Sequence, residues 1–168
     1  MNVTATVGLG ANLNNPAAQI ESALAELDRL PATRLVARSS LYASAPVGYV
    51  DQPDFINAVA QVETALAPRA LLAALLDLEH RHGRERGFRN APRTLDLDLL
   101  LYDGAHFYEA GLSLPHPRMH ERAFVLLPLL EIAPDTTIPG RGRAVDWLAG
   151  CAGQNVTLLP PPTAAVNA

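Results

Sequence analysis

Thr94-Leu95-Asp96-Leu97-Asp98-Leu99-Leu100-Leu101-Tyr102, residues 94–102 of a 168-residue chain, alternates apolar and acidic side chains and then turns wholly apolar. Successive side chains of a strand point to opposite faces. A strand over Leu95 to Tyr102 therefore sends Leu95, Leu97 and Leu99 into a core and holds Asp96 and Asp98 together on the other face. The preceding segments supply its neighbours. Pro68 opens a helix in which Leu71, Leu72, Leu75, Leu76 and Leu78 recur at helical spacing to about His82, and Gly83 ends it. Phe55 to Thr64 reads as a long strand with Ile56, Ala58, Ala60 and Val62 on one face. Residues 34–43 read as one further strand, and 46–53 as a loop with two prolines.

Nearer the N-terminus, Val3 to Leu9 reads as a strand running into the Gly8-Leu9-Gly10 turn. Asn14-Asn15-Pro16 supplies a cap and a first-turn proline for a helix over 16–29, carried by Ile20, Leu24 and Leu27. The order strand, helix, strand, strand, helix, strand predicts an α+β fold, the ferredoxin-like β-α-β-β-α-β sandwich with C-terminal additions. Both helices then lie on one face of an antiparallel sheet, and the additions or a ligand cover the other. Downstream, Asp103-Gly104 is a hairpin signal with His106-Phe107-Tyr108 pairing back. Leu114-Pro115-His116-Pro117 reads as a rigid extended turn, Glu121 to Pro128 as a helix and Ala144 to Leu148 as another. The expected organisation is one domain over 1–159 and a flexible tail over 160–168.

Composition narrows the chemistry. The net charge is -4, so a basic footprint for nucleic acid is not expected. All 13 basic residues are Arg, which removes a P-loop lysine, a Schiff-base lysine and a lysine general base. Cys151 is the single cysteine, and its apolar neighbourhood reads as buried packing. His80, His82, His106 and His120 show no metal-ligand spacing and read as surface residues. With no charged leader or membrane-length apolar run, the expectation is a cytoplasmic protein without membrane contact.

Asp96 and Asp98 would lie about 7 Å apart along the strand. Two readings are open: a solvated edge-strand face, or a Mg²⁺ site of hard oxygen ligands completed by water and phosphate. Arg81, Arg84, Arg86, Arg89 and Arg93 crowd the residues just ahead. They form either a solvated polar loop or a set of guanidinium forks for a polyphosphate. A small-ligand regulatory module of this fold needs neither feature. A γ-phosphoryl kinase needs both and releases ADP.

Pro92-Arg93-Thr94-Leu95-Asp96-Leu97-Asp98 resembles the signature of the 6-hydroxymethyl-7,8-dihydropterin pyrophosphokinase family. Gly8-Leu9-Gly10-Ala11-Asn12-Leu13, Asp51-Gln52-Pro53-Asp54-Phe55-Ile56-Asn57-Ala58, Leu114-Pro115-His116-Pro117-Arg118-Met119 and Arg122-Ala123-Phe124-Val125 resemble further blocks of that family, in order. The resemblance spans roughly residues 3–135. It implies transfer of diphosphate from ATP, the co-substrate, to a pterin alcohol, with AMP leaving. It implies that Asp96 and Asp98 bind two Mg²⁺ ions. Arg84 and Arg93 would act catalytically on the phosphates, with Arg86 and Arg89 as lesser ATP contacts. Glu79, His116 and Arg122 would also face ATP. Phe55 and Phe124 would stack on the pterin, and Asn57, Ser44, Ala45 and Val47 would read its edge. Asn90-Ala91 stands where some members carry Trp-Gly. The implied partners are these two small molecules, with no obligatory protein partner.

Overall fold

The structure, a computed structural model, describes residues 2–46, 51–83 and 94–160. The chain begins with β1 (Val3–Ala11), α1 (Pro16–Leu27), β2 (Thr33–Arg38), β3 (Tyr42–Ser44), β4 (Phe55–Thr64), α2 (Pro68–Arg81) and β5 (Asp96–Tyr102). It continues with β6 (Phe107–Glu109), β7 (Leu112–Leu114), α3 (Ala123–Ile132), β8 (Thr137–Ile138), β9 (Gly142–Arg143) and β10 (Val156–Leu158). Short 3-10 helices span Met119–Glu121 and Ala144–Cys151.

The main sheet runs β10-β3-β4-β1-β5, and β2 pairs with β4 beyond β3. Every pairing in it is antiparallel. The β5-β1-β4-β2 part, with two helices between its strands, is the arrangement predicted for a β-α-β-β-α-β sandwich.

Alternation along the strands divides the interior into two layers. Ala5, Val7 and Leu9 of β1, Ala58, Ala60 and Val62 of β4, and Leu97 and Leu99 of β5 pack with Ile20 and Leu24 of α1 and Leu71, Leu75 and Leu78 of α2. On the other face Val59 and Leu100 pack with Leu126 and Leu129 of α3 and Ala144 and Cys151 of the last 3-10 helix. Each fully buried Leu contributes roughly 1.5–3 kcal/mol of burial. The C-terminal additions thus cover part of the second face, and the part they leave open forms a cleft.

Several details depart from the sequence expectations. The strand expected over 34–43 is two strands. Between the pairs Arg38↔Ala60 and Tyr42↔Asn57, one chain advances four residues and the other three. Ser39 fills the gap: its N–H donates to the Val59 carbonyl (2.9 Å) and its Oγ accepts from the Val59 N–H (2.9 Å). A side-chain oxygen has replaced a ladder carbonyl, which is the work of a bulge. Asn15 makes no side-chain cap. It sits at φ 63°, a conformation Asn tolerates, and its carbonyl accepts from the Gln19 N–H.

Phe107–Glu109 does not pair back on β5. It pairs with β7 across Ala110-Gly111, where Gly111 takes φ 81°. Pro128 does not end α3, which runs on to Ile132 with Val125, Leu126 and Leu129 buried. Tertiary packing outweighs the one backbone hydrogen bond that proline removes. The predicted 144–148 helix is a longer 3-10 helix. β10, which the sequence reading did not anticipate, adds a strand to β3.

His80 and His106 are exposed, as expected, but two other histidines are not surface residues. His82 bridges α2 to α1, its ring nitrogens meeting Gln19 Oε1 and Glu26 Oε2, each at 2.5 Å. His120 is 6% exposed and packs edge-on against Trp147, with ring centroids 4.8 Å apart. Burial lowers its pKa below the ordinary histidine value. Cys151 is buried, and burial raises its thiol pKa.

Candidate active-site cleft

β1 lies between β4 and β5, and it reaches the open face with two glycines. Gly8 is opposite Asp98 and Gly10 opposite Asp96 on one side, while Gly10 is opposite Asn57 on the other. A Cβ at Gly10 would come 3.3 Å from Asn57 Oδ1, and one at Gly8 would come 3.3 Å from Leu100 Cδ1. Bare backbone therefore floors the cleft. The two carboxylates rise on one flank and the Asn57 amide on the other. The cleft holds about 710 Å³.

Its apolar and amide end is built by β3, β4 and the start of α3. Asn57 is buried, and its Nδ2 donates to Ser44 Oγ at 2.7 Å across the β3-β4 pair. A buried amide needs such partners. Phe55, Ala45 and Phe124 also line this end. The Arg122 guanidinium lies over the Phe124 ring, 5.5 Å from its centroid. That is cation–π range. Arg122 precedes α3 in an extended conformation, and its carbonyl accepts the N–H groups of Val125 and Leu126.

The acidic end carries Asp96 and Asp98, with Arg118, Glu121 and Arg122 along the same cleft. His116 is anchored by its N–H donating to the Leu100 carbonyl (2.9 Å), and its Nδ1 accepts from the Arg118 N–H (3.1 Å). Burial and the nearby Arg122 guanidinium push the His116 pKa down to about 4, with Asp96 opposing. The ring is thus neutral near pH 7, and with Nδ1 accepting, its proton sits on Nε2 as a hydrogen-bond donor.

Two of the quoted sequence blocks form one unit. The Asn12 side chain at the end of β1 donates to Gln52 Oε1 (2.8 Å) and to the Pro53 carbonyl (3.0 Å). This ties the first turn to the segment that leads into Phe55 and Asn57.

The structure brings together Ser44, Ala45, Phe55, Asn57, Asp96, Asp98, Arg122 and Phe124. Of the three residues expected to face ATP beside the arginine loop, Arg122 lines the cleft, while His116 and Glu79 are not among its lining residues. Glu79 is 3% exposed, and its Oε2 accepts the Leu97 N–H at 2.7 Å. It braces the strand that carries the aspartates. Val47, Arg84, Arg86, Arg89 and Arg93 lie outside the described residues. Arg118, Glu121 and Gln154 line the cleft without having been assigned a role. The first two fall within or beside quoted blocks, whereas no motif marks Gln154.

Among the described residues no group of three His, Cys, Asp or Glu side chains gathers to hold a metal. Two carboxylates on one face of a strand nevertheless fit Mg²⁺. That ion takes one or two protein carboxylates and fills its remaining positions with water and phosphate oxygens.

Residues 6–134 match the family described as 7,8-dihydro-6-hydroxymethylpterin-pyrophosphokinase. Two curated relatives carry the name 2-amino-4-hydroxy-6-hydroxymethyldihydropteridine pyrophosphokinase. The one from Pseudomonas aeruginosa is 47% identical over 154 residues, covering 92% of this chain and 95% of its own. The one from Haemophilus influenzae is 47% identical over 159 residues, covering 95% and 99%. Among solved structures, a Plasmodium falciparum HPPK-DHPS variant with pterin and p-hydroxybenzoate superposes with a TM-score of 0.70 at 14% identity. The match takes in 89% of this chain and 43% of that longer one, so it speaks for the fold alone.

Proposed function

The chain belongs to the 7,8-dihydro-6-hydroxymethylpterin-pyrophosphokinase family, and on that premise we propose how its cleft carries out the family's reaction. It is an ATP-dependent diphosphotransferase of folate biosynthesis. The hydroxymethyl oxygen of 6-hydroxymethyl-7,8-dihydropterin forms a bond to the ATP β-phosphorus. The bond between that phosphorus and the oxygen bridging to the α-phosphorus breaks, AMP leaves, and the hydroxyl proton passes to solvent. No covalent enzyme intermediate is required, so the protein's task is positioning and charge stabilisation.

One observation carries the site assignment. Asp96 and Asp98 face a glycine-floored cleft whose other end presents an amide and two aromatic rings. In this reading the pterin lies between Phe55 and Phe124, and Asn57, Ser44, Ala45 and Val47 read its polar edge. The His116 Nε2–H donates to the nucleotide, and Arg122 neutralises charge beside it. Arg84 and Arg93 take the phosphates, with Arg86 and Arg89 assisting. Asp96 and Asp98 would hold two Mg²⁺ ions, which would supply neutralisation of the phosphate oxygens.

No helix among the described residues is long and apolar enough to cross a membrane. The reading places the enzyme in the cytoplasm, acting on two small molecules without an obligatory protein partner.

Asp98→Ala tests the assignment. AMP formation falls at least ~1,000-fold, as for loss of a main electrostatic stabiliser, while Tm stays within a few degrees of wild type. A folded Asp98→Ala protein with near-wild-type AMP formation would place the chemistry elsewhere.

A further inference from the structure

We infer that Gln154 is a positioning residue for the pterin-binding end of the cleft, resting on the proposed placement of the pterin between Phe55 and Phe124. Gln154 lies 20 positions beyond residue 134, where the family match ends, yet it lines the cleft. Its Oε1 accepts the Ala123 N–H at 2.9 Å, and its Nε2 donates to the Glu121 carbonyl at 2.7 Å. Ala123 is the first residue of α3, where a backbone N–H has no partner inside the helix. One amide group thus clamps both sides of Arg122 and fixes the turn that presents Phe124.

The clamp is tied down at both ends. The Gln154 N–H donates to the carbonyl of buried Cys151 at 2.9 Å. The next residue, Asn155, accepts the Ala45 N–H at 3.4 Å, and Val156 pairs with Ser44 in the β10-β3 ladder. Residues 151–156 therefore form a strap joining the Phe124 wall to the Ser44–Ala45 wall. Gln154 itself is exposed, so water can replace its partners when it is removed. The cost then falls on the order of the turn more than on global stability.

The test is equilibrium titration of 6-hydroxymethylpterin and of a non-hydrolysable ATP analogue into wild type, Gln154→Ala, Gln154→Glu and Phe124→Ala, with Tm recorded for each. Gln154→Ala weakens pterin binding about three- to tenfold, the scale of one or two net hydrogen bonds. It weakens the ATP analogue less, and Tm stays within about 3 °C. In turnover the change appears in the pterin KM, with kcat at saturating pterin near wild type. Gln154→Glu keeps the acceptor for Ala123 and recovers part of the affinity. If Gln154→Ala binds pterin within twofold of wild type while Phe124→Ala loses it, the positioning role is refuted. So do equal losses for both ligands. If Phe124→Ala itself binds pterin as wild type does, the placement of the pterin fails, and the inference falls with it.

Discussion

At the scale of single residues, the cleft depends as much on absent side chains as on present ones. Gly10 leaves the space that the Asn57 amide occupies. Gly10→Ala puts a methyl 3.3 Å from Asn57 Oδ1, tight enough to displace the amide from its Ser44 partner. The expected result is a loss of pterin affinity of about tenfold, near the worth of one well-placed polar contact, read by pterin titration. Unchanged affinity would mean that Asn57 does not read the ligand.

His116 carries a pH signature of its own. Burial and Arg122 hold its pKa near 4, below the ordinary 6.5. Between those values the unfolded chain binds a proton that the folded chain refuses. Stability from this group is therefore complete above about pH 6.5 and falls as pH drops toward 4. The ring stays a neutral donor across that window. NMR of the His116 ring should show no titration near pH 6.5, and ATP-analogue affinity should lose no His116-dependent contribution until pH nears 4. A ring midpoint near 6.5 would contradict the geometry.

At the scale of elements, the sequence was most legible where one periodicity ruled a whole segment. β4 spans Phe55–Thr64 as its alternation required, and the alternation of β5 placed Asp96 and Asp98 on the cleft face. Legibility failed where a side chain stood in for backbone. Ser39 breaks the expected single strand by supplying a ladder acceptor, and local propensity carries no sign of that. It failed again where packing overrode a local rule, as at Pro128 inside α3. Glu79 shows the same limit. Its carboxylate serves the backbone of β5, a contact spanning 18 residues. Glu79→Ala should cost about 1–3 kcal/mol, since it leaves the Leu97 N–H without this acceptor. Glu79→Gln, which keeps an acceptor oxygen, should cost less. Urea unfolding checks the pair, and equal, negligible losses would remove the bracing role.

At the scale of the whole molecule, two layers share one sheet and are used differently. The α1–α2 layer buries a continuous apolar face. The α3 layer covers only part of the opposite face, and the uncovered part is the cleft. The lack of lysine leaves Arg as the source of side-chain cations other than histidine, and the cleft already gathers Arg118 and Arg122 beside the aspartates. The blocks of sequence resembling the family led to most of this site because each occupies a short contiguous stretch. Gln154 was invisible to them. Its role exists only through contacts to Glu121 and Ala123, more than 30 positions away in the chain.

Both substrates are proposed to meet in this one cleft and exchange a diphosphate. Product analysis with ATP, Mg²⁺ and 6-hydroxymethyl-7,8-dihydropterin tests it most directly. One AMP is expected for each pterin diphosphate formed, with no ADP. Release of ADP with a pterin monophosphate would contradict it.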